Sequence, residues 1–394
     1  MFLPELLSPA LFRFALRKYT RMNAAAARRK KQLAARAKEG DNVAVKLKQL
    51  LAGSDDEPTA YEALQLAQSQ TRKAVNTGKF SEAADLAYST GLELLLKNKV
   101  SVASQLLQLL VDVLRETHTE CTKVGIDKIV TLHTTHQASV KEIPEGAEKN
   151  RLQRLQREWL RRVLSWSNDL GVITFGHPRL HELLAEQCWL LPEGDEEEDR
   201  HAIMCDAVQH MVLAEQPQKI LEWLKTLPPP TVEQTAFGHT CPAADRDALL
   251  TRSLLLFCAI ENLRDANVLL QKYVDEVEER TMDDLTKSYM DKDDGKAQAH
   301  VVFCSMLLRI CEKDQRTGPL WTWLLRSFKK ELDLLAKPQA VQSYTTKIGK
   351  VYFNIQPPPS MISMVENMMG MMGGGGGGMN PAMMAQAMQG MKGM

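Results

Sequence analysis

Residues 78–116 read GKFSEAADLAYSTGLELLLKNKVSVASQLLQLLVDVLRE, and the two turns in this stretch decide the fold. Gly78-Lys79-Phe80-Ser81-Glu82-Ala83 and Asn98-Lys99-Val100-Ser101-Val102-Ala103 share one shape: a turn-forming residue, a hydrophobic residue two places on, and a small Ala. In helix-pair repeats the Gly or Asn permits the tight turn and the Ala lets the next helix approach closely. A third, looser instance is Asn262-Leu263-Arg264-Asp265-Ala266. Tetratricopeptide-like hairpins follow, in a degenerate form, and stacked hairpins bury one continuous core.

Outward from these turns the pattern stays helical. Apolar residues recur three and four apart in YEALQLAQSQTRKAV, VASQLLQLLVDVLRE and RLQREWLRRVLSW, and no convincing series of strands is found. Breaks fall at residues 53–58, 78, 98, 143–146, 176–178, 192–199, 228–230 and 291–295, rich in Gly, Pro, Asn and Asp. The intervals predict helices of about 10–20 residues, hence an all-α fold.

Three segments are expected. Residues 1–40 form a basic helical extension, 41–360 the helical body, and 361–394 a flexible tail holding 12 of the chain's 19 methionines and six successive glycines, 373–378. Glycines in such a run forfeit about 1 kcal/mol each relative to Ala in a helix. Residues 1–22 carry Arg13, Arg17, Lys18 and Arg21 against one acid, Glu5, which admits an organelle presequence. The basic pattern continues through ARRKKQLAARAK, which favours a charged extension, and Met22 is an alternative start.

Composition narrows function by exclusion. Lys plus Arg and Asp plus Glu are 49 each, so no net field recruits nucleic acid or an anionic membrane. The longest strictly apolar run, residues 254–260, is far short of the roughly 20 residues a membrane-spanning helix needs. Seven cysteines, odd in number and without a CxxC pair, mostly lie in apolar stretches, which is reduced, cytosolic usage. His133 and His136, His177 and His181, and His201 and Cys205 share helical spacing, but no third and fourth ligand stands at a recognisable distance, so no metal site is expected. No GxSxG elbow, phosphate-binding glycine loop or family-type catalytic Cys occurs, so no catalytic residue and no cofactor are assigned. The run EGDEEEDR, residues 193–200, reads as a solvated connection. ARRKKQLAARAK lacks interleaved aromatics for base stacking.

Several phrases together resemble the Golgi-to-ER traffic protein 4 family, the helical-repeat cochaperone in the guided entry of tail-anchored proteins. VKLKQLLAGSDDEPTAYEALQL and GKFSEAADLAYSTGLELLL match its first hairpins. RVLSWSNDLGVITFGHPRLHELLAEQCWL carries its distinctive GHPRLH, NLRDANVLLQKYV a later hairpin, and KIGKVYFNIQPPP its characteristic end. The resemblance runs in order over about residues 44–359. It implies a right-handed α-solenoid and a cytosolic adaptor that is neither an enzyme nor membrane-embedded and binds no nucleic acid. Its N-terminal helices would contact the ATPase that targets tail-anchored proteins. Its C-terminal half would hold a ubiquitin-like-domain protein or a BAG-family scaffold.

Candidate residues follow. Lys46, Lys48, Arg72, Lys73 and Lys79 flank the first two hairpins and would face an acidic ATPase surface, with a solvated helix face as the alternative. Trp321, Trp323, Ile348, Tyr352 and Phe353 are candidates for the C-terminal partner groove, with buried core as the alternative. His177, Pro178, Arg179 and His181 are expected to form a structural turn and helix start. The basic extension and the tail depart from the family pattern. Met-rich tails with an Asn-Pro step, like Asn380-Pro381, occur in the upstream cochaperone that holds transmembrane segments. Met368, Met369, Met371, Met372, Met383, Met384 and Met388 therefore become candidate client contacts. Rival readings are a direct holdase working through that tail and a helical scaffold of an unrelated complex.

Overall fold

A computed structural model describes residues 43–356 apart from 54–55, 191–196, 239, 294, 297, 314 and 336–337. Among the described residues every regular element is helical. They divide between Leu227 and Pro228 into two compact units, at the first of the three prolines that predict a break.

The first unit contains α1 (43–52), α2 (Glu57–Asn76), α3 (Phe80–Leu96), α4 (Val100–Glu116), α5 (Lys123–Lys141), α6 (Ala147–Leu170), α7 (Pro178–Trp189), α8 (Glu197–Leu213) and α9 (Pro217–Thr226). The second contains α10 (Val232–Thr235), α11 (Asp245–Ala259), α12 (Leu263–Tyr273), α13 (Met282–Met290), α14 (Ala299–Cys311), α15 (Gly318–Ser327), α16 (Lys329–Asp333) and α17 (Pro338–Phe353).

The hairpin turns work as their residues dictate. Gly78 (φ +74°) and Asn98 (φ +58°) are both left-handed, and the next amide reaches back to close the helix: Lys79 N–H to Ala74 O and Lys99 N–H to Leu94 O, each 2.9 Å. Five residues beyond each, Ala83 and Ala103 are completely buried. The later instance is shifted by one position from the sequence expectation. Glu261 is the left-handed residue (φ +66°), and Asn262 caps α12 by accepting from Asp265 N–H at 3.1 Å. Ala266, five beyond Glu261, is again completely buried. His118 (φ +50°) and Glu215 (φ +56°) make further turns of this kind that no Gly or Asn announces.

Burial then stacks the hairpins. In the first unit α3 lies against α2 and α4, and α7 against α6 and α8. Leu64, Leu94, Leu106 and Ile129 fill the space between them. Two indoles peg α6 in place: Trp159 donates to Leu107 O at 3.0 Å and Trp166 to Thr119 O at 2.8 Å. The second unit is organised around α11, which is buried nearly all round and touches α12, α14 and α17. A helix covered on every side sits at a centre, and this one takes Arg246, Asp247 and Arg252 inside with its leucines. In the same unit Tyr289 stacks on Phe328 at 5.4 Å between ring centroids, and Phe303 meets Phe328 at 5.5 Å with its ring tilted.

The turn geometry predicts two opposite responses in urea unfolding. Ala103→Leu overpacks the hairpin contact and lowers stability by about 1–3 kcal/mol. Glu261→Gly relieves a left-handed backbone and raises stability by about 1 kcal/mol.

Candidate functional site

The basic candidates lie on the surface of the first unit. Lys46 and Lys48 are exposed on α1, which is held to the core by Leu47 on its other side. Arg72 and Lys73 are exposed near the end of α2, where with Gln65, Gln68 and Asn76 they line a shallow depression of about 500 Å³. Lys79 is exposed but paired with Glu82 at 2.8 Å. Arg72 and Lys73 thus share one surface feature. Lys46 and Lys48 do not line it, and the charge of Lys79 is answered locally.

The aromatic candidates divide between the two alternatives that the sequence leaves open. Trp321, Ile348 and Phe353 are buried core, Trp321 at 2% exposure. Trp321 stacks on Phe353 at 5.6 Å, and a Cβ at Gly349 would come within 3.2 Å of its indole nitrogen. That space is filled from within, which is the buried-core alternative for these three. Tyr352 is half-buried with its hydroxyl enclosed, and burial raises its pKa. Trp323, 53% exposed, is the one that faces fully outward. Trp321 and Trp323 are two positions apart, about 200° round a helix, which sends one in and the other out.

Two surface features went unassigned in the sequence. Leu320, one turn before Trp323, is 47% exposed. Between α6 and α7, Val172 (98% exposed), Ile173 and Phe175 stand out from the surface of the first unit. The apolar residues between Gly171 and Gly176 were a legible signal for the second. Position relative to Trp323 was a legible signal for the first. The methionine candidates Met368, Met369, Met371, Met372, Met383, Met384 and Met388 lie outside the described residues.

The GHPRLH phrase is the turn and helix start that its residues suggest. His177 N–H donates to Ser167 Oγ at 2.9 Å, while its ring Nδ1 accepts from Arg179 N–H at 3.2 Å, so it caps α7 with Pro178 just inside. His181 Nε2 lies 2.8 Å from Phe175 O and must carry the proton; its Nδ1 then accepts from His210 Nδ1–H at 3.0 Å. This link fixes Phe175 with φ +73°, where a bulky residue is strained.

The family model for Golgi to ER traffic protein 4 matches residues 77–373, well over half of the 394. The chain belongs to the Golgi to ER traffic protein 4 family. Membership carries a role in the GET pathway. Protein GET4 of Arabidopsis thaliana is 24% identical over 319 residues, covering 76% of this chain and 87% of the relative. The crystal structure of Get4 from C. therm. superposes with a TM-score of 0.55 at 19% identity, covering 86% of this chain and 98% of that one, which shows a common all-α solenoid fold.

In this member of the Golgi to ER traffic protein 4 family the buried histidines serve the fold. Gln156 Nε2 donates to His133 Nδ1 at 2.9 Å, and His136 Nε2 lies 3.4 Å from Ser104 Oγ, whose own proton goes to Val100 O. Among the described residues no three His, Cys, Asp or Glu side chains are grouped to hold a metal ion, and no helix is long and apolar enough to cross a membrane. Burial depresses His133 to about 3, and His136 and His210 to about 4, with the His181 ring adding to the shift of His210.

The sign follows directly. The unfolded chain takes up protons near the ordinary imidazole value of 6.5, and the folded chain does not until near pH 4. This contribution is complete above about pH 6.5 and is lost as pH falls toward 4, on the order of 3 kcal/mol for each histidine. Thermal unfolding should therefore show a level Tm from pH 8 to 7 and a fall between pH 6.5 and 4.5. A Tm level down to pH 4.5 contradicts the burial of neutral imidazoles.

Proposed function

We propose that this chain is a non-catalytic, cytosolic adaptor in the post-translational delivery of tail-anchored membrane proteins to the ER. It would join the targeting ATPase to a ubiquitin-like-domain protein or BAG-family scaffold. The observation that carries the reading is the family match over residues 77–373. The two surfaces supply the means. Lys46, Lys48, Arg72 and Lys73 put positive charge on the first helices, suited to an acidic ATPase face. Trp323 and Leu320 give the second unit an exposed apolar face suited to a second partner.

Holding two partners on one chain replaces a bimolecular encounter with a tethered one, and effective concentrations reach about millimolar when the span is right. An adaptor of this kind needs no reacting group. The proposed organisation is a basic extension at 1–40, the binding body at 41–360 and a tail at 361–394. A second reading, a holdase acting directly on transmembrane segments, is favoured by the 12 methionines of residues 361–394, because unbranched thioethers adapt to many apolar shapes.

The test is a pull-down from native cytosol with the full chain and with a Lys46→Glu/Lys48→Glu/Arg72→Glu/Lys73→Glu variant. The wild type should recover both partners. The variant should keep the C-terminal partner and associate with the ATPase about 10–100-fold more slowly, the difference shrinking as salt is added. Recovery of neither partner by the wild type refutes the adaptor. Undiminished ATPase binding by the variant refutes the basic face alone.

A further inference from the structure

We propose that the connection between α6 and α7, with the depression beside it, is a docking site for a basic amphipathic helix of a partner protein. This site shares no residue with the basic face of α1 and α2 or with the Leu320–Trp323 face of α15. It stands whether or not those two surfaces hold the partners assigned to them.

The first observation is that apolar side chains are displayed here on a fixed mount. Val172, Ile173 and Phe175, three within four residues, are turned to solvent. The backbone that carries them is tied down at both ends. Cys121 N–H donates to Leu170 O at 3.1 Å on one side, and His177 N–H donates to Ser167 Oγ at 2.9 Å on the other. Gly176 N–H closes the turn on Ile173 O at 3.1 Å, and a Cβ on Gly176 would come within 2.9 Å of Leu164. The first turn of α5 adjoins the same backbone, with Gly125 close against the Trp166 ring, and exposes Val124 as well. Folding gains nothing from holding Phe175 in a left-handed backbone with its ring in water, whereas a partner that covers the ring does gain.

The second observation is the charge around these side chains. Asp112, Arg115, Glu116, His118, Asp169 and Leu170 line a depression of about 560 Å³ that ends where the connection begins. Arg162 answers Asp112, Arg115 answers Asp169, and Arg179 answers Glu182 at the start of α7. Glu116, Glu120 and Asp127 are exposed and make no ion pair among the described residues, and Asp127 is near enough to act on the His177 ring. Lys123 is the single exposed cation among the described residues of this neighbourhood that is likewise unanswered. The unpaired charge is therefore negative.

These two features together select the occupant. A helix with an apolar stripe bordered by Lys or Arg can close that stripe over Val172, Ile173 and Phe175 while its long cationic side chains reach the carboxylates. Anionic lipid is repelled by the same carboxylates. A second copy meeting this face about a two-fold axis would set Glu116 and Glu120 against their own mates.

Fluorescence anisotropy tests this, using the full chain and a labelled helical peptide of about 18 residues with leucines on one face and lysines on the other. The wild type should bind the peptide saturably, and Val172→Ser/Phe175→Ser should weaken binding about tenfold or more. Glu116→Lys/Glu120→Lys should weaken it about tenfold at low salt and flatten its salt dependence. A peptide with glutamates in place of the lysines should be refused by the wild type and accepted by the charge-reversed variant. Each variant should keep the wild-type Tm, since every side chain changed is exposed. Absence of saturable binding overturns the proposal, as does binding indifferent to Val172 and Phe175 or equal for the two peptides. Flotation of the wild type with zwitterionic or anionic vesicles, lost in Val172→Ser/Phe175→Ser, overturns it in favour of a membrane. Self-association in sedimentation velocity that the same variant loses overturns it in favour of a second copy.

Discussion

The hairpins that anchor both units depend on leaving one helix and entering the next within about three residues while keeping the two helices close. Only a left-handed residue reverses the chain that sharply and still lets the following amide close the finished helix. At three of these turns a small side chain five places on lets the second helix settle against the first. Gly78 with Ala83, Asn98 with Ala103 and Glu261 with Ala266 meet both conditions. Leucines at intervening positions then find their neighbours without further instruction, and the indoles of Trp159 and Trp166 satisfy backbone carbonyls that would otherwise be stranded in the core.

The reading of the sequence followed this logic as far as residue type allowed. Turns bearing Gly78 and Asn98 were legible because those residues tolerate positive φ, and the triple proline marked the division between units. His118, Glu215 and Glu261 were not legible as turns. Nothing in a His or Glu side chain announces a left-handed backbone, which here is imposed by the packing of the helices on either side. The aromatic cluster was legible only as a pair of alternatives. Trp321, Ile348 and Phe353 were grouped with Trp323 as the aromatic and apolar residues of the last folded segment, and the phase of α15 separates the two tryptophans while the close approach at Gly349 goes with a buried Trp321. The lysines and Arg72 were placed correctly on the surface, because charged residues between buried Leu47, Leu64 and Ala67 have nowhere else to go.

Polar groups in the interior follow the same economy of purpose. His133, His136, His181 and His210 each have a protein partner, and their neutrality at ordinary pH is set by burial. GHPRLH, the phrase most suggestive of chemistry, is occupied in capping α7 and pinning Phe175. The surface keeps lysines, arginines and a few apolar side chains such as Leu320 and Trp323 among its exposed residues.

The tight turns also govern how such a chain can change over time. One residue added inside a turn such as Gly78-Lys79 would rotate the whole of the following helix by about 100° and turn its buried face toward water. Insertions and deletions are therefore filtered out of these hairpins almost regardless of which residue is involved, while substitutions at exposed positions pass freely. A lineage built this way keeps its spacing long after its letters have drifted, which accounts for a shared fold at 19% identity. Novelty in length has to accumulate where no helical phase is at stake.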